Sequence, residues 1–304
     1  MTRFPYDQFA KDYLKELLQP LGKVETSLTV PAEIREIDVY FAPSPQASTD
    51  TIQLGLLGQL ANKAALFEPF RNAVKISEIR SCMNKLFYLI ADIERQNKRN
   101  NISTLEDELP KLWILSPTAS IPILDGFKAS LEEHSWGQGV YILGNHLKTA
   151  IIAIHQLPQN EETLWLRLLG KGGVQQRAIQ ELENLSPNNP LRDKAVDLLL
   201  SLKTTLEINQ NPDKEDRELL MSLSPIYLQR LAEAKQEGIQ EGIQEGVMNE
   251  RRIAIASLLQ AKFGSLDAEL NAIIPPLTAL TPEEFSPLLI QLSRTELLAR
   301  FKQQ

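Results

Sequence analysis

Apolar and polar residues follow helical spacing at the start of the chain and strand spacing soon after. Apolar side chains recur every three or four positions over residues 6–19 and Pro20 follows, so this segment is predicted to be a helix that ends there. Residues 24–30 alternate between apolar and polar side chains, which is typical of a strand. Residues 34–42 form a more continuous apolar run that ends at a turn-forming PSPQ segment, and a second strand is predicted there.

The next three segments extend this order of elements. Residues 50–62 are predicted to form a short helix, and residues 65–72 a third strand. Pro69 lacks a backbone donor, so it favours an irregular or edge position for that strand. Ser77 has the side chain of a helix N-cap and precedes a long helical segment, so a long helix is predicted to begin there.

Strands continue to alternate with helices further along the chain. Apolar runs of strand length occupy residues 111–119, 139–144 and 150–157, and helical spacing returns at residues 162–170 and 174–182. An alternation of this kind predicts an α/β domain in which helices cover a sheet.

The last part of the chain contains no predicted strand, so three regions are expected. Residues 1–205 are predicted to form the α/β domain, residues 206–250 an acidic helical connector, and residues 251–304 a small helical C-terminal domain. One long helix is expected to begin near residue 226 and to continue into the last region. The tail from residue 265 is predicted to hold two or three short helices broken by prolines.

The connector contains a four-residue repeat, QEGIQEGIQEGV, at residues 236–247. On a helix the repeat aligns three glycines in one row and three apolar side chains in another, and each glycine costs about 1 kcal/mol relative to alanine. Two interpretations stay open. The segment is a flexible, mostly helical connector whose repeat arose by slippage, or it is a self-association helix that makes the protein a homo-oligomer through residues 226–262.

Composition and charge narrow the class of protein. Residues 206–250 carry a net charge of −6 and residues 1–205 only −2, so the α/β region lacks the basic excess of a typical DNA-binding module. Cys82 is the only cysteine, which excludes an internal disulfide and fits a reducing compartment. No apolar run reaches the ~18 residues of a membrane-spanning helix, and the N-terminus lacks the apolar core of a secretion signal. A cytoplasmic protein without membrane contacts is therefore expected.

Two carboxylates lie within apolar runs that are predicted to be buried strands. Asp38 is in EIDVYF and Glu68 is in ALFEPF, 30 residues further on. A carboxylate in such a position is costly unless a cation or a metal ion pairs with it. Mg²⁺ prefers oxygen ligands, and an Asp on one strand with a Glu on the next can bind a single ion.

The order of elements around these acids resembles a known family. A helix, a strand, an Asp-bearing strand, a short segment, a Glu-bearing strand and a long helix follow one another as in the PD-(D/E)XK nuclease superfamily. The chain is similar in particular to the recombination-promoting nuclease and transposase-like branch, through PKLWILSPTA, IHQLP, ETLWLRLLGKG and the glycine-rich helix. The tail from about residue 249 resembles a small helical C-terminal domain of unknown function that is often joined to that branch in cyanobacteria.

The resemblance implies a restriction-endonuclease-like mixed sheet flanked by helices, and Mg²⁺-dependent cleavage of phosphodiester bonds in DNA. It implies that Asp38 and Glu68 are the catalytic acids and metal ligands, with Glu25 as a further metal ligand. Phe70 stands where the family has a lysine, so Lys85 on the long helix is taken as the catalytic cation in its place. The other side chains that could serve as cation or ligand are Arg71, Lys75, Arg80 and Glu16.

An ordinary structural role for the two acids is the alternative. Asp38 would then pair with Arg35 or Arg71, and Glu68 with Arg80, because ion pairs of this kind are common in proteins. The protein would in that case be a catalytically inactive nuclease fold that acts as a protein-interaction and oligomerisation module.

The remaining candidates have ordinary interpretations. His155 lies in a strand-like run and is expected to be a hydrogen-bonded core residue. Cys82 is expected to behave as a small buried hydrophobic residue. The three tryptophans are expected in the core or at interfaces, because a base-stacking platform would need them clustered and they are spread along the sequence. These are Trp113, Trp136 and Trp165.

Overall fold

The structure is a computed structural model that describes the chain in five stretches. These stretches are residues 5–30, 35–44, 51–186, 189–208 and 213–301. The chain divides into two compact units, Met1–Tyr227 and Leu228–Gln304. This division differs from the three regions expected from the sequence, because the acidic segment at 206–250 is shared between the two units and does not form a unit of its own.

The first unit is a mixed α/β structure, as the alternation of strands and helices predicted. Its strands are β1 (Gly22–Val30), β2 (Arg35–Pro43), β3 (Ala65–Pro69), β4 (Lys111–Ser116), β5 (Ser130–Leu131), β6 (Val140–Ile142) and β7 (Thr149–Ala153). Its helices are α1 (Pro5–Leu18), α2 (Gly55–Leu60), α3 (Ile76–Arg99), α4 (Ile121–Gly126), α5 (Glu133–Trp136), α6 (Leu164–Arg167), α7 (Gly173–Glu183) and α8 (Pro190–Ile208). Single 3₁₀ turns occupy Thr51–Leu54, Glu106–Glu108, Asn145–Leu147, Ile154–Gln156 and Glu161–Thr163.

The seven described strands form one mixed sheet in the order β1-β2-β3-β4-β7-β6-β5. β1, β2 and β3 are antiparallel neighbours, and β3, β4 and β7 are parallel neighbours. β6 and β5 return in the antiparallel direction. α3 lies in the crossover between β3 and β4, as parallel strands require, because they cannot be joined by a tight turn.

Helices cover both faces of the sheet. On one face α1, α2 and α6 to α8 pack against a set that includes Phe67 and Trp113. On the other face α3 and α4 pack against a set that includes Leu66 and Ile114. Because neighbouring residues of β3 and β4 are buried on opposite faces, both strands read as continuous apolar runs in the sequence.

Two predictions near strand ends need correction. Pro69 is the last residue of β3, and β3 lies inside the sheet between β2 and β4, so the proline does not mark an edge. Its missing N–H falls where the strand ends, and pairing along the rest of β3 is not interrupted. His155 lies in the 3₁₀ turn after β7 and is exposed, so it is not the core residue that was expected.

The start of α3 also differs from the prediction. The helix begins at Ile76 with Lys75 as its N-cap, two residues before the expected cap at Ser77. The Glu78 carboxylate accepts a hydrogen bond from the Lys75 backbone N–H at 2.7 Å. This contact satisfies a backbone donor that the first turn leaves unpaired, so the acid rather than the serine side chain selects the start.

Helices are the only regular elements among the described residues of the second unit. α9 (Lys214–Phe263) enters it from the first unit, and four shorter helices follow, where two or three were expected. They are α10 (Ala268–Ala272), α11 (Ile274–Thr278), α12 (Pro282–Gln291) and α13 (Arg294–Phe301). Pro282 occupies the first turn of α12 and Pro287 lies inside that helix, so these prolines do not separate helices. Within the described residues, none of the helices has the length and apolar content needed to cross a bilayer.

Candidate functional site

The two acids that stand out in the sequence meet near the end of β3. Val39 pairs with Phe67 in the antiparallel ladder between β2 and β3, so one further step along both strands places Asp38 opposite Glu68. Asp38 is close enough to Glu68 for its charge to raise the pKa of the Glu68 carboxyl group. Like charges directly opposite each other on a ladder repel, so this arrangement needs a proton or a cation beside it.

The usual alternation of side chains along β2 is interrupted at Asp38. Ile37 belongs to the core beneath α3, whereas Val39, two residues on, belongs to the core beneath α1. Residues two apart on a strand normally lie on the same face. In β1 the position opposite Asp38 is Ser27, whose φ of 57° departs from extended backbone. This local distortion gives Asp38 access both to a helix on the α1 face and to Glu68.

Two lysines from different helices hold the acids. Lys85 Nζ on α3 donates to both carboxylate oxygens of Glu68, at 2.9 and 2.8 Å. Lys11 Nζ on α1 lies 2.9 Å from Asp38 Oδ1 and 3.1 Å from Asp7 Oδ2. The side chains of Lys85 and Glu68 are only 13% and 2% exposed, so water and salt screen this pair weakly.

Burial sets the proton affinity of these groups. The burial of Glu68, together with the charge of Asp38, raises the pKa of its carboxyl group to about 7 against the opposing pull of Lys85. Burial acts against the charge of Lys85, but the attraction and hydrogen bonds of Glu68 outweigh it, and the pKa of Lys85 is raised. The pKa of Lys11 is raised in the same way by Asp38 and Asp7. Near neutral pH, Glu68 therefore exchanges a proton while both lysines stay charged.

Cys82 completes the buried surroundings of Glu68. Its Sγ lies 3.7 Å from the Glu68 carboxylate, and the thiol is free and buried, as predicted. Burial and the charge of Glu68 raise the pKa of the thiol. Because the thiolate is the reactive form of cysteine, Cys82 is not a nucleophile near neutral pH.

Glu25 does not join the pair as the expected third metal ligand. It lies opposite Tyr40 in the ladder between β1 and β2, and its carboxylate pairs with Lys23 at 2.5 Å. Within the five described stretches, no group of three or more Asp, Glu, His or Cys side chains is arranged to hold a metal ion. The candidate ligand set is therefore reduced to two carboxylates, those of Asp38 and Glu68.

Two of the ion-pair partners expected for a purely structural role, Arg71 and Arg80, are not among the partners observed for the acids in the described residues. Arg80 is exposed on α3, and Arg71 makes its contacts in the cleft described below. The side chain of Arg35 lies outside the described residues. The contacts to the two acids come instead from Lys11 and Lys85.

A cleft with a volume of 490 Å³ opens beside the acids. Asp38 is part of its lining, whereas its neighbour Glu68 is only 1% exposed. Arg71, which follows β3, also lines the cleft, and its guanidinium lies over the Tyr6 ring at 3.6 Å from the centroid. The Tyr6 hydroxyl donates to Asp216, and Arg71 is 4.0 Å from the same carboxylate. These contacts hold the guanidinium in place, which favours binding of an anionic group at the cleft.

Comparisons with known proteins were made for the whole chain. None of the family models, curated proteins or solved structures compared with it matches. Any functional assignment therefore depends on the geometry of Asp38, Glu68, Lys85 and the cleft, together with the resemblance in the sequence.

Lys11 is the site residue that the sequence interpretation missed. A signal for it is present, because Lys11 lies three and seven positions before Leu14 and Leu18, within the apolar stripe of α1. A lysine on the buried face of a helix needs an acidic partner. Asp7, four residues earlier, is one such partner on the same helix. The pattern indicates that a further acid could face Lys11, but it does not identify Asp38.

Proposed function

We propose that the protein is a cytoplasmic, Mg²⁺-dependent nuclease of PD-(D/E)XK type that cleaves phosphodiester bonds in DNA. The observation that carries the proposal is the Asp38–Glu68 pair with Lys85 against it, beside an open cleft. The order α1, β1, β2, α2, β3, α3 supports the proposal, because it is the order that the resemblance implies. The cytoplasmic setting is based on Cys82, the only cysteine, which is a free thiol.

The two carboxylates fit a hard divalent ion. Proteins commonly bind Mg²⁺ through one or two carboxylates, and substrate phosphates and water complete the six positions. The raised pKa of Glu68 means that the site gains stability from a positive charge beside this carboxylate. Held by Asp38 and Glu68, Mg²⁺ would act as a Lewis acid toward the phosphoryl group and lower the pKa of a bound water.

Lys85 takes the role of the lysine that is missing at Phe70. Because its pKa is raised, Lys85 is an ammonium at neutral pH. It is therefore suited to stabilise negative charge on phosphoryl oxygens, and it is not suited to accept a proton from water. Lys11 acts as a positioning residue, because it holds Asp38 from the other side of the sheet.

The first unit, residues 1–227, carries a net charge of −5, so DNA binding at the cleft would depend on local positive charge. Two basic side chains, Arg71 and Lys75, line the cleft together with four acids, which are Asp7, Asp38, Glu78 and Asp216. Arginine binds phosphate through two parallel hydrogen bonds, and backbone phosphates supply most of the contacts that position DNA on a protein. The charge is local, so we expect weak binding that depends on salt.

The proposal is tested by a nuclease assay on supercoiled plasmid DNA with Mg²⁺ or Mn²⁺. We expect cleavage by the wild type and a loss of roughly 100-fold or more in Asp38→Asn and Glu68→Gln, since each removes a group that acts on the reacting phosphate. Asp92→Asn is the matched control, because the Asp92 side chain is 41% exposed on α3 and accepts only surface hydrogen bonds, from Arg95 and Gln96.

Two outcomes would contradict the proposal. Equal cleavage by the wild type and Asp38→Asn would remove the site. No cleavage by the wild type with either ion, and no heat of Mn²⁺ binding in calorimetry, would leave only the second candidate function. The heat of Mn²⁺ binding reports on metal binding by the two carboxylates, and it does not depend on catalysis.

Self-association is the second candidate function, and the exposed part of α9 favours it. All residues from 231 to 250 are exposed, although this stretch holds three glycines. Helices gain most of their stability from packing of an apolar face, so a stretch of this kind needs a partner. The large apolar side chains exposed along it are Leu231, Ile239, Ile243, Val247 and Met248. We propose a second copy of the chain as that partner.

Analytical ultracentrifugation tests this second candidate. A wild-type dimer that dissociates in the double variant Ile239→Glu and Ile243→Glu supports it. Ile121→Glu is the matched control, because Ile121 is an apolar residue 73% exposed on α4, outside the stretch. A wild-type monomer at all accessible concentrations contradicts it. A dimer without nuclease activity would identify the interaction module.

A further inference from the structure

A second cleft, with a volume of 580 Å³, lies at the other end of the parallel strands. Its lining includes the first residues of β4 and β7, Lys111 and Thr149, together with Trp113 and Trp136. The first cleft lies beside Glu68, near the C-terminal end of β3. Because β3, β4 and β7 run parallel, the second cleft lies at the opposite, N-terminal ends of these strands. Nothing in the proposed nuclease chemistry uses this second cleft.

Two of the tryptophans that are far apart in the sequence are in contact here. The Trp113 and Trp136 rings are 5.1 Å apart between centroids and inclined by 60°. The Lys111 ammonium lies 4.2 Å from the Trp113 centroid and 5.2 Å from the Trp136 centroid. Trp113 Nε1 donates to the Leu60 carbonyl at 3.1 Å, which fixes the orientation of its ring. The ammonium is therefore held against two aromatic faces.

The charge of Lys111 has no carboxylate partner among the residues that the structure describes. Lys148 is nearby but pairs with Glu106 at 3.4 Å. Burial of Lys111 and repulsion from Lys148 lower the pKa of the Lys111 ammonium to about 8, against a weaker pull from Glu132. Other charged or titratable groups on the lining are Lys63, Glu106, Asp107 and His146. An ammonium that is half-buried, unpaired and next to another ammonium is stabilised by an added anion.

We propose that this cleft binds a small organic anion, a phosphate or carboxylate group carried on an apolar or aromatic body. Lys111 pairs with the anionic group. Trp136, Ile142 and Leu143, which line the same cleft, contact the body. The volume lies in the range of small-molecule pockets, which are mostly apolar with a few polar groups that fix orientation.

Calorimetry with two probes, phenyl phosphate and benzoate, tests the proposal and distinguishes the anionic group that is preferred. Inorganic phosphate supplies the charge without the body, and benzyl alcohol supplies the body without the charge. We expect at least one of the two probes to bind with an affinity roughly tenfold or more above that of both partial probes, since each partial probe lacks one set of contacts. Binding of neither probe to the wild type at millimolar concentration overturns the proposal.

Substitution of Lys111 tests its role as the charge partner. Lys111→Met is expected to lower the affinity roughly tenfold or more, because it removes a charge-assisted hydrogen bond. Lys98→Met, an exposed lysine on α3, is the matched control and is expected to leave the affinity unchanged. Equal affinities in the wild type and Lys111→Met overturn the proposal.

The pH dependence of benzoate or phenyl phosphate binding keeps the test decisive if Lys111→Met does not fold. The wild-type affinity is expected to fall above pH 8, roughly tenfold for each pH unit, as Lys111 loses its proton. Lys111→Arg stays charged, so its affinity is expected to remain level between pH 8 and pH 10. A wild-type affinity that is also level over this range contradicts the proposal.

Discussion

The buried carboxyl group of Glu68 makes a direct prediction about stability. Its pKa is about 7 in the folded protein and 4.5 in the reference state, because burial and Asp38 disfavour its charge. Between these two pH values the folded protein binds a proton that the unfolded chain does not. The free energy of unfolding therefore decreases as the pH rises from about 4.5 to about 7, and Glu68 contributes no further change above that.

The magnitude follows from the two proton affinities. A tenfold difference in proton affinity corresponds to about 1.4 kcal/mol, so Glu68 lowers the free energy of unfolding by about 3 kcal/mol over this pH range. Glu68→Gln keeps the shape of the side chain but cannot ionise. We therefore expect the stability of Glu68→Gln relative to the wild type to rise by about 3 kcal/mol between pH 4.5 and pH 8.

Urea unfolding at several pH values, followed by tryptophan fluorescence, measures this difference. All three tryptophans lie before residue 166, so the signal reports on the first unit alone. Glu36→Gln is the matched control, because Glu36 is an exposed acid on the neighbouring strand β2. Parallel stability profiles of the wild type and Glu68→Gln would refute the reasoning, and so would a difference of the opposite sign.

Lys85→Met provides an independent check of the same electrostatics. At pH 8 this variant leaves the Glu68 carboxylate buried without its cation, which costs roughly 3–5 kcal/mol. At pH 5 Glu68 is protonated in the folded protein, so the loss is expected to be smaller. A loss of stability that is equal at the two pH values would contradict the assigned proton on Glu68.

Three further predictions concern residues away from the acidic pair. Arg167 is fully buried and donates hydrogen bonds to Glu181 and Thr163. Arg167→Met is therefore expected to lower the free energy of unfolding in urea by roughly 3–5 kcal/mol. A loss below about 1 kcal/mol would contradict a stabilising role for this buried ion pair. Gly139 has a φ of 84°, and an added Cβ would lie 3.0 Å from the Ala153 carbonyl oxygen. Gly139→Ala is therefore expected to destabilise the first unit by about 1–3 kcal/mol in urea unfolding. An added Cβ at Gly242 meets nothing within 4 Å in the single chain, so Gly242→Ala is expected to raise helicity in far-UV circular dichroism and to stabilise α9 by about 1 kcal/mol. A decrease in helicity or in self-association would indicate that a second chain packs against the glycine row.

Local patterns predicted the elements that carry the acidic pair. The apolar runs around Asp38 and Glu68 correspond to β2 and β3, and the segment with Lys85 corresponds to α3. Apolar residues cluster in such runs because both faces of the sheet are covered. Element ends were less predictable, as at α3, where the contact between Glu78 and Lys75 decides the first residue.

The partners of each charged group could not be predicted in this way. Among the described side chains, Asp38 pairs with Lys11 on α1, and not with Arg71, which follows the next strand. Trp113 and Trp136 meet beside Lys111, although nothing in their spacing marks them as neighbours. Several cations and rings are available to each group, and only the packing of helices on the sheet selects among them.

By itself the sequence determined the order of the elements from α1 to α3, the position of the two acids on β2 and β3, and the helical character of the C-terminal unit. Each of these depends on the periodicity of nearby apolar residues, which can be seen in a short segment. The tertiary structure alone decided that Asp38 faces Glu68 and that Lys11 and Lys85 hold the two acids. These contacts depend on strand register and on helices that pack across the sheet, and a local pattern does not contain that information.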